Sequence, residues 1–344
     1  MTDEMLSKIK VLEGTNIFIT GATGLIGSTL VKEILDYNIT AKEKINMILL
    51  VRDINKAKSI FSFYDTSNVT YIVGNIIDYS PVYMHIDYII HGAGKTSSRS
   101  FVNEPVETVL TAFDGTKNML ELARINQVKG FVYLSSMEVY GAPETNEQIM
   151  ENHSTNIDPM KVRSCYPESK RICECLCTSY AEEYGINIMV LRLAQTFGPG
   201  VNYDDERIFA EFARCVIEKR NIILHTKGET RRSYLHVEDA VSAIIIVLLK
   251  GKSGEAYNAA NEQTYCTIYD MAYMVSLECA NGEIEVNIRE KDITQLGYAP
   301  VLKMNLNTEK LRELGWIPSK SLIEMYKDMI EYMYRLKEIC TCDS

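Results

Sequence analysis

The sequence predicts an α/β chain: a doubly wound parallel sheet followed by a smaller, mostly helical C-terminal lobe. Three observations carry that reading. Short apolar runs alternate with longer periodic segments through the first half, the pattern of βαβ units. A glycine turn, TGATGLIGS (20–28), joins the first apolar run to the first periodic segment. After FGPGVNYDDER (197–207), a Gly/Pro/Asp stretch, helical periodicity dominates.

The elements follow in order. NIFIT (16–20) is too short for a helix and rich in β-branched residues, so it is a strand. Residues 25–37 then form a helix. INMILLV (45–51), VTYIVG (69–74) and IDYIIHG (86–92) are apolar strands of the same kind. A helix over 106–126 precedes the strand FVYLS (131–135), and a helix over 164–184 precedes NIMVLRL (187–193). Short strands are expected near 221–225 and 256–259. The run AVSAIIIVLL (240–249) is a buried element, since its length is about half of the roughly 20 residues a spanning helix needs. In the tail, Trp316 and Pro318 mark a turn, and Leu322, Met325, Met329 and Met333 form an apolar stripe for packing. The expected division is 1–195 plus 236–262 for a dinucleotide-binding unit. Residues 196–235 plus 263–344 would form a substrate-binding lobe.

Composition narrows function. With 344 residues and 46% hydrophobic content the chain can bury a large core. A formal charge of −10 argues against a nucleic-acid partner. The opening MTDEMLSKIKVLEGT lacks the apolar core of a secretory signal, and nine cysteines are an odd number, so reduced thiols in a cytoplasm are expected. Cys173, Cys175 and Cys177 alternate along a helix and do not converge, and Cys340–Cys342 gives no better ligand set. His85, His153 and His225 have no metal-ligand spacing, so no metal and no membrane contact are expected.

The glycine turn is a phosphate cradle. Gly21, Gly24 and Gly27 allow a tight turn and close backbone approach to a pyrophosphate. Thr23, Leu25 and Ile26 complete it, with the helix N-terminus supplying free N–H groups and a positive dipole end. The cofactor is therefore NAD or NADP. Arg52, at the end of the second strand where an acidic residue would accept a ribose hydroxyl, suits a 2′-phosphate and tips the choice toward NADP. Asp53 beside it could still do the NAD task.

YPESK (166–170) sets Tyr166 and Lys170 four apart on one helix face. An ammonium favours the phenolate, so Tyr166 could take a proton from a sugar or alcohol hydroxyl while hydride leaves to a nicotinamide. Ser136, at the end of the strand in YLSSMEVYG (133–141), would hold the same oxygen.

Taken together, TGATGLIGS, GNIID (74–78), IIHGAG (89–94), YLSSMEVYG, YPESK, LRLAQTFGPG (191–200), RRSYLHVED (231–239) and LNTEKLRELGW (306–316) resemble, in order, an extended short-chain dehydrogenase/reductase of the NAD-dependent epimerase/dehydratase family. The resemblance implies a Rossmann-type sheet and a nucleotide-sugar substrate. It implies Ser136, Tyr166 and Lys170 as the catalytic set and Gly21, Gly24 and Gly27 as the phosphate loop. It also implies Asn75 and Ile76 beside the adenine, and Gly92, Ala93 and Gly94 against the cofactor. Thr96, Ser136, Gln195 and Arg232 would meet the substrate, Arg232 at its diphosphate. The plain alternative for Arg232 is an ion pair with Glu229 or Glu238. A homodimer through the helices 106–126 and 164–184 is a further family expectation. Asn75, Ala112, Gln195, Phe197 and the VRD ending depart from the family's commoner residues.

Met137 and Glu138 separate the reactions. A 4,6-dehydratase would carry an aspartate where Met137 stands, and a thioether moves no proton. The reading given first is therefore 4-epimerase-like, with transient C4 oxidation and internal cofactor recycling. Three alternatives stand beside it: a UDP-glucuronate decarboxylase-like reaction using Glu138, an NADPH-dependent keto-sugar reductase, and a dinucleotide-sensing binding protein. Structurally, Glu138 could simply bind backbone amides at the strand end.

Overall fold

The computed structural model describes residues 7–154, 156–290 and 301–342. Seven parallel strands form its central sheet: β1 (Asn16–Thr20), β2 (Asn46–Val51), β3 (Val69–Val73), β4 (Tyr88–His91), β5 (Gly130–Ser136), β6 (Ile188–Leu193) and β10 (Ala256–Ala259). Their spatial order is β10-β6-β5-β4-β1-β2-β3. The order reverses between β1 and β4, and in such sheets the crevice beyond the strand ends at that reversal is where ligands bind.

Strand alternation explains the layers. On β5, Val132 and Leu134 point into one core while Phe131 and Tyr133 point into the other. The first core joins the sheet to the helices Leu25–Thr40 and Val237–Lys250. The second joins it to the helices Pro105–Asn126 and Cys165–Tyr184. Both faces are covered, which is why these strands read as near-continuous apolar runs. The Rossmann-type, doubly wound parallel sheet predicted from sequence is thus the observed fold. The apolar run at 240–249 is a helix buried along nearly its whole length.

Two segments absent from the sequence reading are the helices Ile54–Ile60 and Ser98–Asn103. The second half also holds more strand than its texture suggests. β7 (Gln195–Phe197), β9 (Arg231–His236), β11 (Asn261–Thr267) and β13 (Lys303–Met304) make a small sheet, and β8 (Ile222–Leu224) pairs with β12 (Val286–Ile288). Around them lie the helices Ile208–Ile217, Ile268–Met274, Glu309–Glu313 and Leu322–Cys342. A third core, with Phe197, Phe209, Phe212, Tyr234, Met325, Met329 and Met333, belongs to this part. The methionine stripe packs there as expected, whereas the side chains of Cys340 and Cys342 lie outside the described residues.

Candidate active site

The glycine turn occupies the reversal point. Gly21 follows β1 with φ +75°, and a Cβ on it would stand 2.7 Å from the Gly92 carbonyl carbon, at the end of β4. A Cβ on Gly27 would stand 2.2 Å from the Gly21 carbonyl oxygen. Only glycine lets the first helical turn and the two strand-end loops approach this closely. Gly24 caps the helix Leu25–Thr40 without a side-chain bond, which leaves the first-turn amides free for an acceptor. A cradle that a single methyl would fill, with unpaired amides at a helix start, fits a pyrophosphate. Thr23, Leu25 and Ile26 are half-buried on this turn.

Beneath the turn, His91 bridges the end of β1 and the helix Pro105–Asn126. Its Nδ1 lies 2.7 Å from the Thr20 hydroxyl and its Nε2 lies 3.1 Å from that of Thr116. The Thr20 hydroxyl in turn accepts the Ala93 amide at 3.1 Å, so His91 supports the loops after β1 and β4 from inside the core. Burial, and then the charge of Lys170, hold its pKa down at about 3, so the ring is neutral. Gly92 and Ala93 are half-buried there, while Gly94 and Thr96 are exposed on the loop that follows.

Farther out, Arg52 is exposed at the end of β2. Asp53 caps the helix Ile54–Ile60, its Oδ1 accepting the Asn55 and Lys56 amides at 2.9 and 3.0 Å. Asn75 is exposed, whereas Ile76 is buried against Gly115 and its carbonyl accepts a bond from Asn118 at 2.9 Å.

Ser136, Tyr166 and Lys170 come together where β5 ends against the start of the helix Cys165–Tyr184. Tyr166 is buried, and the Ser136 hydroxyl is near enough to lower its pKa. The Ser136 hydroxyl also accepts the Glu138 amide at 3.2 Å and caps the turn Met137–Tyr140. Lys170 Nζ donates to the Leu134 carbonyl at 2.7 Å and lies 4.6 Å from the Tyr133 ring centroid and 6.0 Å from that of Tyr166.

The ammonium four residues away was expected to favour the phenolate; burial, which spacing does not reveal, acts the other way. The Tyr166 pKa is raised, first by burial and then by the Glu138 carboxylate. The Ser136 hydroxyl and the guanidinium groups of Arg163 and Arg207 pull it back down. Desolvation outweighs them, and it also lowers the pKa of Lys170.

Glu138 differs from its structural reading as well. Its carboxylate accepts Arg163 Nη2 at 2.9 and 3.2 Å rather than capping the strand end, a task Ser136 performs. Arg163 Cζ lies 4.7 Å from the Phe101 centroid, and Phe101 stacks on Tyr166 at 4.2 Å and 17°. Arg163, Phe101 and Arg207 escaped the sequence reading. A lone arginine in a loop gives no periodic or spacing signal, and a stacked phenylalanine looks like any core residue.

Behind the site, Glu174 binds Arg192 through Nε at 3.0 Å and Nη2 at 2.7 Å and accepts the Ser135 hydroxyl at 2.5 Å. Arg192 Nη1 also donates to Tyr140 Oη at 2.7 Å, and Tyr140 donates to Asn258 at 2.8 Å. Tyr140 is therefore structural, and burial pushes its phenol up to about 12.

In the small sheet, Gln195 pairs with Tyr234 between β7 and β9. Arg232 lies on β9, and its buried Nε has no hydrogen-bond partner among the described residues. No ion pair to Glu229 or Glu238 is formed. A buried guanidinium N–H without an acceptor suits an anionic oxygen. His236 caps the helix Val237–Lys250, its Nδ1 accepting the Glu238 amide at 3.4 Å. Among the described residues no group of three or more His, Cys, Asp or Glu could hold a metal, and no helix is long and apolar enough to cross a membrane.

Comparison with known proteins agrees with this geometry. The family model for the NAD dependent epimerase/dehydratase family matches residues 17–260. UDP-glucuronic acid decarboxylase 1 of Xenopus tropicalis is 26% identical over 318 residues, covering 92% of this chain and 71% of that protein. UDP-glucuronic acid decarboxylase 5 of Arabidopsis thaliana is 30% identical over 304 residues, covering 84% and 85%. An epimerase from Methanothermobacter thermautotrophicus superposes with TM-score 0.80 at 20% identity, covering 98% of both chains. UDP-glucose 4-epimerase from Thermotoga maritima does so with TM-score 0.77 at 22% identity, covering 94% and 99%. These two structures speak to the fold. The extent of the family match settles kinship, and the chain belongs to the NAD-dependent epimerase/dehydratase family of enzymes.

Proposed function

We propose that this chain transiently oxidises a nucleotide sugar at C4, and that the sugar is a hexuronate whose C6 carboxylate leaves as carbon dioxide from the 4-keto form, a UDP-glucuronate decarboxylase-like reaction. The observation that carries this reading is the Glu138 carboxylate, close enough to the Tyr166 phenol to raise its pKa, on the turn that Ser136 caps at the end of β5. The names of the relatives support it.

In this reading the bound dinucleotide supplies a hydride acceptor and later a hydride donor at C4. Gly21, Gly24, Gly27 and the first-turn amides would hold its pyrophosphate. Arg232 would take a substrate phosphate oxygen, consistent with its unpaired Nε. In its ionised form Tyr166 takes the proton of the C4 hydroxyl, and Ser136 and Tyr166 then hydrogen-bond the ketone oxygen. The carboxylate is β to that ketone. The C5–C6 bond breaks, its electron pair enters the carbonyl as an enolate, and carbon dioxide leaves. A proton adds at C5, handled by Glu138, and the C4 oxygen recovers its proton from Tyr166. Overall, UDP-glucuronate and one proton give a UDP-pentose and carbon dioxide.

A 4-epimerase-like reaction is the second reading. Its support is the two-point grip of Arg163 on Glu138 at 2.9 and 3.2 Å, which occupies the extra carboxylate. Epimerisation needs only the Tyr166 chemistry and a ketone that turns over between hydride transfers.

NADP is supported by exposed Arg52 and by the cap duty of Asp53, while the family description names NAD. A homodimer is supported by apolar side chains exposed on the two neighbouring helices, Val106 and Leu110 on one and Ile172 and Tyr184 on the other.

Incubation with UDP-glucuronate tests the proposal. Carbon dioxide and a UDP-pentose should appear without net cofactor reduction, and Tyr166→Phe should lose about 1,000-fold in turnover while still binding dinucleotide. A UDP-hexuronate stereoisomer with no carbon dioxide would establish the second reading. Steady NADPH consumption would overturn both.

A further inference from the structure

We propose that Arg163 is a positioning residue that fixes Glu138 and Tyr166 relative to one another, acting through the Glu138 carboxylate and the Phe101 ring. The inference rests on the catalytic reading of Tyr166 given above.

Arg163 sits in the turn Val162–Ser164, directly before the helix that carries Tyr166 and Lys170. Its guanidinium has two jobs at once. Nη2 reaches both oxygens of Glu138, on the turn that follows β5. Cζ lies 4.7 Å from the Phe101 centroid, on the helix Ser98–Asn103. Phe101 is buried, stacks on Tyr166 at 4.2 Å, and has its carbonyl bound by the Cys165 thiol at 3.3 Å. One planar cation therefore ties three segments that converge on the phenol. A lysine could meet Glu138 but could not match the planar fork or the flat stacking contact.

Both members of the pair are about one-third exposed, Arg163 at 31% and Glu138 at 32%. Solvent screening makes the pair a weak contributor to fold stability. Its consequence is local. Without Arg163 the Glu138 carboxylate would face Tyr166 uncompensated and oppose ionisation of the phenol. The other charged groups around Tyr166 are Arg207, itself paired with Asp205 at 2.6 Å, and Lys170 on the same helix. Arg99, on the Phe101 helix, pairs instead with Glu206 at 3.6 Å. None of these contacts Glu138, so Arg163 is the group whose loss changes that carboxylate's effect.

A double-mutant cycle tests this. Single-turnover reduction of bound NAD by UDP-glucuronate is followed in wild type, Arg163→Gln, Glu138→Gln and the double variant, with the dinucleotide Kd measured in each. Arg163→Gln should slow reduction about tenfold, with a change in Kd below about threefold. The limb of the pH–rate profile that rises as the phenol ionises should move up by about one unit. In the Glu138→Gln background the same substitution should cost less than about threefold, because the uncompensated charge is gone. Arg163→Lys should recover the pH profile but only part of the rate. An equal loss in both backgrounds, or an unmoved pH profile, would overturn the proposal and leave the catalytic reading standing. A wild-type enzyme that binds dinucleotide and reduces none of it with UDP-glucuronate or UDP-glucose would overturn both.

Discussion

Gly27→Ala is the sharpest probe of the phosphate cradle. The new methyl would stand 2.2 Å from the Gly21 carbonyl oxygen, 2.8 Å from its carbonyl carbon and 3.0 Å from Ala22 Cα. A carbon–oxygen contact settles at about 3.3 Å or more, so the turn has to open by roughly 1 Å. All three atoms are backbone, so no rotamer change relieves the clash. Overpacking of this kind costs about 1–3 kcal/mol of stability. Moving the first-turn amides by about 1 Å takes them from hydrogen-bond distance to beyond it. Two charge-assisted bonds at about 1.5 kcal/mol each then vanish, which raises the dinucleotide Kd about 100-fold. Isothermal titration with NAD reads the affinity, and thermal unfolding reads the fold. Gly24→Ala is the comparator, since its methyl would meet the Gly21 oxygen at 3.3 Å and needs only a slight adjustment. It should weaken binding far less. A folded Gly27→Ala protein whose Kd stays within about threefold of wild type would refute the placement of the pyrophosphate on this turn.

Three further outcomes are expected. His91 is neutral in the folded protein with a pKa of about 3, against an ordinary value of about 6.5. Its contribution is complete above pH about 6.5 and is lost as pH falls toward 3, so urea midpoints should drop over that window and drop less in His91→Gln. Glu174→Gln leaves the Arg192 cation without its partner in a site where both side chains are less than 15% exposed, 14% and 11%. It should cost about 3–5 kcal/mol in urea unfolding. Arg232→Gln should weaken UDP binding about tenfold or more while leaving NAD affinity unchanged, as read by titration with each ligand.

The sheet was legible because most of its strands are apolar runs between strong punctuation. β1 ends at a glycine turn and β5 at two serines, and both boundaries fall within a residue or two of the expected ones. In the second half β8 and β10 fall where short strands were expected, whereas β7, β9, β11, β12 and β13 were not legible. β13 has two residues and β7 has three, too few to show alternation. Their partners lie far off along the chain, as with Lys303 opposite Arg231. The proximity of Tyr166, Lys170 and Ser136 could be read from helix spacing and strand termination. Their electrostatics could not, since the raised phenol pKa depends on burial and on Glu138. The partner of Glu138 is hidden for the same reason: Arg163 lies 25 positions away, and no local pattern joins them.

The outermost strand of the large sheet carries a consequence for biosynthesis. β10 pairs with β6, yet more than sixty residues of other structure separate them in the chain. A ribosome that has released everything through Leu193 has produced six strands whose last member has one side open. That rim stays unpaired until residue 259 emerges, together with the helix that shields the first core. During this interval the nascent chain presents a sticky ribbon of unmatched amides and carbonyls. Truncations that stop before β10 should therefore aggregate rather than yield a soluble cofactor-binding fragment.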